Sequence, residues 1–236
     1  MEWIKKAKEK QVLYIHFTMD DNPSLSQSVK DRYKSLYSGA FYERFIEGKW
    51  VTAQGLVYPM FSPERHIKKC KGKFNRFYLS CDYGTVNPFS LGLWGECDGK
   101  WFRLDEYYYS GRDNGIQLTD EEYYRELEKL AENREITALI IDPSAASFIQ
   151  TVLRHGKFRV VKANNDVLTG INRVCQALKD EEIFIYPACT DAIREFSIYR
   201  WDDNIKKDAV KKENDHAMDD IRYFVATVLG LSLIHI

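Results

Sequence analysis

The sequence predicts an α/β protein built on a mixed β-sheet with helices on its faces. Apolar runs at 77–82, 89–94 and 101–109 are bounded by turn residues and predict three strands. The Asp98-Gly99 turn between the second and third runs is a strong hairpin signal. Helical patterns and apolar runs then alternate, which is typical of parallel strands joined by helices. Ligands of such sheets gather at strand ends, where the strand order changes direction.

The later elements follow from capping residues and apolar spacing. Thr119 and Glu122 fit a capping box and predict a helix to about residue 133. The almost wholly apolar run 137–141 predicts a strand buried on both faces, and Pro143 stops it because proline cannot continue the hydrogen-bond ladder. The remaining predicted elements are a helix to 155, a strand at 158–161, a helix to 178, a strand at 183–186, a helix around 192–199 and an amphipathic helix at 215–229.

Residues 1–62 differ from this regular part. They contain a strand-like run at 12–17, two short helical patterns and a connector marked by glycine and proline. So short a segment cannot close a core of its own, so we expect an arm or the tail of a larger domain. Residues 63–230 are expected to form the α/β domain. Residues 231–236 resemble nothing functional and are expected to be a non-native or disordered tail.

The composition excludes several classes of protein. With 236 residues, 44% of them hydrophobic, the chain can bury a sizeable core. Its net charge of -1 means that a polyanionic partner would need local basic patches. The five cysteines are scattered and odd in number, which argues against a disulfide framework or zinc knuckle and for a reducing cytosol. No apolar run approaches the roughly 20 residues of a membrane span, so we expect no membrane partner.

Acidic residues follow two of the predicted strands and open the last helix. Asp82 and Asp142 end the runs 77–82 and 137–141, so both carboxylates reach one sheet edge if these strands are parallel neighbours. His216 shares a helix face with Asp219 and Asp220, because residues three and four apart lie together.

Converging carboxylates repel one another unless a cation lies between them. Mg²⁺ prefers oxygen ligands, and Mn²⁺ also accepts an imidazole. Two such ions can activate a water and stabilise the leaving oxygen of a phosphodiester. The pattern therefore predicts a two-cation site. Taken singly, each residue also has a structural explanation: Asp82 as a solvated strand end, Asp142 as a helix cap, Asp219 and Asp220 as an exposed helix face.

Four segments resemble the C-terminal nuclease domain of the large terminase subunit of tailed bacteriophages and prophages. They are CDYGTVNP at 81–88, DEYYY at 105–109, IDPSAA at 141–146 and NDHAMDDIRY at 214–223. WVTAQGLVY at 50–58 also resembles the stretch that leads out of that family's ATPase domain. Residues 1–62 would then be the tail of the ATPase domain and a linker.

The resemblance implies a ribonuclease H-like fold and two-metal endonuclease chemistry on double-stranded DNA during genome packaging. It also implies the terminase small subunit and the portal as partners of the full-length protein, in the cytoplasm of the infected or prophage-carrying host. The G-x-x-x-x-G-K-[ST] loop of the family's motor half does not occur in this sequence, so we expect no ATPase activity from it.

By position, Asp82, Asp142 and Asp219 match the family's metal-binding aspartates, and His216 matches the histidine beside the third of them. The family usually has a small residue, often alanine, where this chain has Asp220. We therefore expect Asp219 to be the ligand and Asp220 a neighbour or bystander. Whether His216 binds metal directly stays open. Glu106 fits either an outer carboxylate of the site or a surface strand end.

Several basic residues are candidates to hold DNA phosphates, with binding that weakens as salt is added. They are Lys68, Lys69, Lys73, Lys162, Arg173, Lys206, Lys207, Lys211 and Lys212. The basic run at 68–76 fits an ordinary solvated face equally well. Two other functions stay open at this point: a Holliday-junction resolvase-like nuclease on the same fold, and a non-catalytic DNA-docking module stabilised by a metal ion.

Overall fold

The computed structural model describes residues 13, 15–37, 39–49, 53–85, 87–202, 204 and 208–230. These residues belong to two compact units, 1–55 with 201–209 and 56–200 with 210–236. Several parts of the sequence discussed above lie outside the described residues. They are the predicted tail at 231–236, part of the connector at 50–52, Lys206 and Lys207. The described residues of the run 12–17 form no strand, because they pair with no other described strand.

The smaller unit contains a 3-10 turn at Met19–Asp21 and two helices, α1 (Gln27–Leu36) and α2 (Gly39–Phe45). Arg44 of α2 donates to both carboxylate oxygens of Asp208. The ring of Phe41 meets that of Trp201 edge-on, with centroids 5.7 Å apart. These contacts tie Trp201 and Asp208 to α2 within this unit.

The larger unit is organised around one six-stranded sheet. Its strands are β1 (Phe77–Asp82), β2 (Phe89–Cys97), β3 (Lys100–Tyr109), β4 (Ile136–Ile141), β5 (Val160–Lys162) and β6 (Ile183–Ile185), in the order β5-β4-β1-β2-β3-β6. β2 is antiparallel to both of its neighbours, whereas the other pairs are parallel. Five strands therefore end at the same edge. The predicted mixed α/β sheet and the parallel pairing of β1 with β4 are confirmed.

Seven helices are described in this unit. They are α3 (Pro63–His66), α4 (Gly111–Asn114), α5 (Asp120–Ala131), α6 (Ala146–His155), α7 (Val167–Lys179), α8 (Thr190–Ile198) and α9 (His216–Phe224). The last predicted helix continues from α9 as a π-helix over Val225–Leu229. The short helices α3 and α4 were not predicted.

The two sheet faces have different partners. Leu79 and Leu91 pack against Tyr123 of α5 and Phe148 of α6. On the other face, Phe224 of α9 stacks on Trp94 with ring centroids 4.1 Å apart. Because side chains alternate along a strand, Ser80 and the final residue of β1 point to the face opposite Leu79, toward α9. The candidate site therefore lies between the end of β1 and the start of α9.

Two local features bear on the predictions. Asp98 and Gly99 form the hairpin turn with φ of 53° and 73°, which confirms the predicted hairpin.

Cys70 and Cys97 are joined as a disulfide with Cα atoms 6.6 Å apart, a bond that the expectation of no disulfide framework missed. The segment before β1 runs beside the end of β2, where Asn75 donates to the carbonyl of Glu96 at 2.9 Å, and this brings the two cysteines together.

Among the helices that the structure describes, none has the length and apolar character needed to cross a membrane.

Candidate metal centre

The two strand-end aspartates lie next to each other at one edge of the sheet. Cys81 of β1 pairs in parallel register with Ile141 of β4, so Asp82 and Asp142 occupy the next position on each chain. Neighbouring strands lie about 4.8 Å apart. The sheet thus brings these two predicted site residues to adjacent positions.

Asp142 is held by hydrogen bonds rather than by a charge partner. It accepts from the backbone N–H of Ser144 at 2.6 Å and from the side-chain amide of Asn165 at 3.4 Å. Burial opposes ionisation, but the bonds from Ser144 and Tyr223 outweigh it and keep the pKa of Asp142 below its usual value. Asp142 does not cap the following helix, because α6 starts only at Ala146 and Ser144 lies in the preceding turn.

His216 and Asp82 form a close pair. His216 is the first residue of α9, and its Nδ1 lies 2.8 Å from Oδ2 of Asp82. Burial raises the pKa of Asp82 to about 6, against the opposing effect of the His216 hydrogen bond. Burial would lower the pKa of His216, but the bond and charge of Asp82 raise it above its usual value. A proton is therefore readily held by this pair near neutral pH.

Asp219 is surrounded by cationic side chains. Its Oδ1 accepts from Arg222 at 2.9 and 3.2 Å, and its Oδ2 lies 3.8 Å from Nζ of Lys212. The same ammonium group lies 3.6 Å from Oδ2 of Asp215, a residue only 4% exposed. Burial, and then the charge of Asp219, raise the pKa of Asp215. Asp215 was missed from the sequence, although it precedes Asp219 by one helical turn.

Asp220 points away from this cluster into the core between α9 and the sheet. It is fully buried and accepts two hydrogen bonds from Arg103, at 2.8 and 2.7 Å, and further bonds from Ser80 and Ser90. A Cβ on Gly92 would lie 2.5 Å from Cζ of Arg103, so glycine is needed where the guanidinium crosses β2. The structure separates Asp220 from Asp219 and gives it a packing role.

Tyr223 lies among the three predicted aspartates. Burial raises the pKa of its phenol, and the charges of Asp82, Asp219 and Asp142 raise it further. The phenol of Tyr223 in turn helps to lower the pKa of Asp142. Tyr223 lies within 214–223, and no role was predicted for it.

An open cleft of about 900 Å³ borders the His216–Asp82 pair. Its carboxylates outnumber its permanent cations. The carboxylates are Asp82, Asp113, Asp191, Glu213, Asp215 and Asp219, and the cations are Arg112, Arg194 and Lys212. Such a cleft favours divalent cations and would repel a phosphate backbone without them. Arg112 and Arg194 had not been identified as candidates.

The predicted donor set fits Mg²⁺ or Mn²⁺, which take carboxylate oxygens and, for Mn²⁺, an imidazole. In the described part of the chain, Cys70, Cys97 and Asp98 are the one group with three ligand atoms within 4.8 Å of one another. Because its two sulfur atoms are bonded to each other, that group offers no thiolates. No three ligand atoms of Asp82, Asp142, Asp219 and His216 therefore lie within 4.8 Å of one another.

Three of the predicted phosphate-binding lysines lie far from this edge. Lys68, Lys69 and Lys73 are exposed and precede β1, whereas Asp82 ends it. A six-residue strand is about 20 Å long, so these lysines lie at the opposite end of the sheet. The structure does not bring them together with the aspartates.

The other candidates differ in their availability. Lys162 pairs in register with Ile141 and so lies at the same edge as Asp142, and Lys212 lines the cleft. Arg173 pairs with Glu182 at 2.8 Å. Lys211 pairs with Glu213 at 3.2 Å. By position, Lys162 and Lys212 are therefore the best placed of the predicted set, although Lys212 also has an ion pair, with Asp215.

The chain is similar to phage terminase proteins along most of its length. The structure of the large terminase from a thermophilic bacteriophage matches with a TM-score of 0.84 and 46% sequence identity, over 97% of this chain and 58% of the terminase chain. The large subunit of the terminase of Escherichia phage T5 is 20% identical over 229 residues, which is 91% of this chain and 51% of the T5 protein. This chain thus spans about half the length of the T5 relative.

The nuclease domain of the P22 large terminase matches with a TM-score of 0.58 and 16% identity, over 72% of this chain and 90% of that domain. At this identity the likeness concerns the fold alone, and it confirms the predicted ribonuclease H-like arrangement. No protein-family model matches the chain.

Proposed function

Because this chain is a relative of the large terminase subunits of phages, we propose that it is the metal-dependent nuclease part of such a subunit. It would cut concatemeric double-stranded DNA by hydrolysing phosphodiester bonds with two divalent cations, Mg²⁺ or Mn²⁺. The proposal is supported by one arrangement: Asp82 and Asp142 follow paired positions of adjacent parallel strands, and His216, which opens the helix that carries Asp219, lies 2.8 Å from Asp82.

Each residue at this edge has a distinct role in the proposal. Asp82, Asp142 and Asp219 would hold the cations, and Asp82 is the central residue of this set because it lies beside Asp142 in the strand register and is bonded to the helix that carries Asp219 through His216. When bound, the cations supply an activated water and stabilise the leaving oxygen. His216 orients the Asp82 carboxylate through the 2.8 Å hydrogen bond and takes up the proton that Asp82 releases. Lys212 and Lys162 would hold phosphates of the DNA.

The setting of this activity is part of the same proposal. Residues 1–62 would be the tail of the ATPase domain and the linker, and 63–230 the nuclease domain. In the full-length protein, the terminase small subunit and the portal would be partners during packaging, in the cytoplasm of the infected or prophage-carrying host. The sequence contains no phosphate-binding loop, so ATP hydrolysis is not expected of these residues.

Plasmid cutting in Mn²⁺ tests the proposal. Asp82→Asn, Asp142→Asn and Asp219→Asn should each keep the fold, checked by circular dichroism, and abolish cutting. Asp98→Asn is the matched control, because this aspartate lies in the hairpin turn away from the site. Full activity in purified Asp82→Asn or Asp142→Asn protein would overturn the assignment. Preferential cutting of branched DNA would favour a resolvase, and metal-raised melting without any cutting would favour a docking module.

A further inference from the structure

Two helices beside the candidate metal centre begin without a cap from their own sequence. Cys189 precedes α8 and Asp215 precedes α9, and neither side chain accepts a hydrogen bond from the first helical turn. The first amide groups of a helix have no partner within the helix, and a capping side chain usually accepts from the second or third residue. In both helices, a glutamate from another element fills this role.

Glu195 of α8 caps α9. Its Oε2 accepts from the backbone N–H of Ala217 at 2.8 Å and of Met218 at 3.3 Å, the second and third residues of α9. Its Oε1 accepts from the hydroxyl of Tyr108 at 2.7 Å. Glu195 is fully buried, so water does not compete for these bonds. A carboxylate at a helix N-terminus is also favoured by the helix dipole.

Glu106 of β3 caps α8 in the same way. Its Oε1 accepts from the backbone N–H of Asp191 at 2.7 Å and of Ala192 at 3.3 Å, the second and third residues of α8. Its Oε2 accepts from Nε of Arg103 at 3.2 Å. With a side chain only 5% exposed, Glu106 is not a surface strand end, and it does not line the cleft. The central sheet thus holds α8, and α8 in turn holds the start of α9.

We propose that Glu195 is a positioning residue of the metal centre, which fixes the first turn of α9 so that His216 and Asp219 face Asp82. The two amides that it binds are flanked directly by these residues, since His216 precedes Ala217 and Asp219 follows Met218. Fraying or rotation of this turn would displace the imidazole and the carboxylate together. The inference rests on the proposed function only in taking Asp219 as a cation ligand and His216 as the residue that orients Asp82.

The same bonds determine where the Asp215 carboxylate lies. Aspartate is a preferred N-cap residue and would normally accept from the amides that Glu195 occupies. Asp215 instead keeps its carboxylate 3.8 Å from Nε2 of His216 and 3.6 Å from Nζ of Lys212. Glu195 therefore leaves a further carboxylate beside the centre.

The experiment compares Glu195→Gln and Glu195→Ala by two readouts. Amide hydrogen exchange, followed by NMR, reports the first turn of α9 without any metal. Mn²⁺ affinity, followed by electron paramagnetic resonance, reports the centre. In Glu195→Ala we expect faster exchange at Ala217 and Met218 and a loss of Mn²⁺ affinity of about 10-fold or more, as for residues that orient metal ligands. In Glu195→Gln, the exchange rate and the Mn²⁺ affinity should lie between those of the wild-type protein and Glu195→Ala, because glutamine keeps an acceptor oxygen but not the charge.

Thr119→Ala is the matched control. It removes the cap of α5, in which the Thr119 hydroxyl accepts from the N–H of Glu122 at 3.3 Å. We expect a lower melting temperature with unchanged Mn²⁺ affinity. An equal loss of Mn²⁺ affinity in Thr119→Ala would show that Glu195 affects the centre only through the overall stability of the protein, and it would overturn the inference.

The isosteric Glu195→Gln variant decides the question if Glu195→Ala does not fold. Wild-type exchange at Ala217 together with wild-type Mn²⁺ affinity in folded Glu195→Gln and Glu195→Ala would refute the positioning role. If the wild-type protein binds no Mn²⁺, the proposed function fails, but the exchange measurement still tests the capping role. Faster exchange at Ala217 and Met218 in the Glu195 variants then supports that role, and unchanged exchange refutes it.

Discussion

Nδ1 of His216 and Oδ2 of Asp82 lie 2.8 Å apart and join the first residue of α9 to the last residue of β1. Both groups are largely buried, and a metal ion that binds Asp82 must compete with the proton held there. The pair therefore couples cation binding to pH.

The first prediction concerns the pH dependence of Mn²⁺ affinity. Burial raises the pKa of Asp82 to about 6, so the carboxyl is neutral below that pH and available as a ligand above it. Affinity should therefore rise as the pH increases through about 6. His216→Ala removes a hydrogen bond that lowers this pKa, so the rise should move to higher pH. Mn²⁺ titrations at a series of pH values measure both effects. A midpoint that stays in place or moves to lower pH contradicts the prediction.

The second prediction concerns the buried pair of Arg103 and Asp220. Asp220→Leu leaves a fully buried guanidinium without its bidentate acceptor, so we expect a loss of about 3–5 kcal/mol in the free energy of unfolding. The double variant Arg103→Met with Asp220→Leu removes the buried guanidinium and should lose less than the single variant, because Glu106, which loses its bond from Arg103, keeps the bonds from the backbone N–H groups of Asp191 and Ala192. Urea denaturation measures both. Equal losses in the two proteins would show that the charge is not the cause.

Much of the sheet was predictable because its strands are short apolar runs bounded by turn residues. Asp82 and Asp142 could be paired in advance, since alternating helices and strands imply parallel neighbours. Asp219 and Asp220 could not be separated by helical spacing, because both lie on the face of His216. What separates them is contact with Ser80, Ser90 and Arg103 on three strands, and such long-range contacts leave no local signal.

The same limit applies to Glu195 and to the lysines before β1. Glu195 lies in an ordinary amphipathic helix, and its capping role depends on the start of a helix about 20 residues later. A basic run marks an exposed segment, but which end of the sheet it occupies depends on strand direction. Lys68 precedes β1 and Asp82 ends it, so nearness in sequence was misleading here.

The third prediction concerns the turn after Asp82. A Cβ on Gly84 would lie 2.5 Å from the carbonyl oxygen of Pro88 and would also clash with that of Asn87. Backbone atoms cannot rotate away, so Gly84→Ala should cost about 1–3 kcal/mol in the free energy of unfolding and reduce Mn²⁺-dependent cutting. Gly230→Ala is the control, because its added Cβ meets open space. Thermal melts and plasmid assays measure the two effects. A Gly84→Ala protein as stable as the control contradicts the expected clash.

The fourth prediction separates the two basic regions. Lys212 lines the cleft and its side chain is 70% exposed, whereas Lys68, Lys69 and Lys73 lie at the far end of β1. If DNA crosses the cleft, Lys212→Ala should weaken duplex binding and reduce the slope of log affinity against log salt by about 1. Replacing the three distant lysines by alanine removes more charge but should leave the slope unchanged.

Fluorescence anisotropy of a labelled duplex over a salt series measures these slopes, in an Asp142→Asn background so that the DNA is not cut. The comparison of Lys212→Ala with the triple variant is decisive, because a model based on total charge and a model based on position in the cleft predict opposite orders for the two losses of slope. A binding site spread over the whole surface would respond most to the triple variant, since counterion release follows the number of phosphate contacts. A site confined to the cleft would respond to Lys212 alone. A larger loss of slope in the triple variant would therefore move the DNA path away from Asp82 and His216.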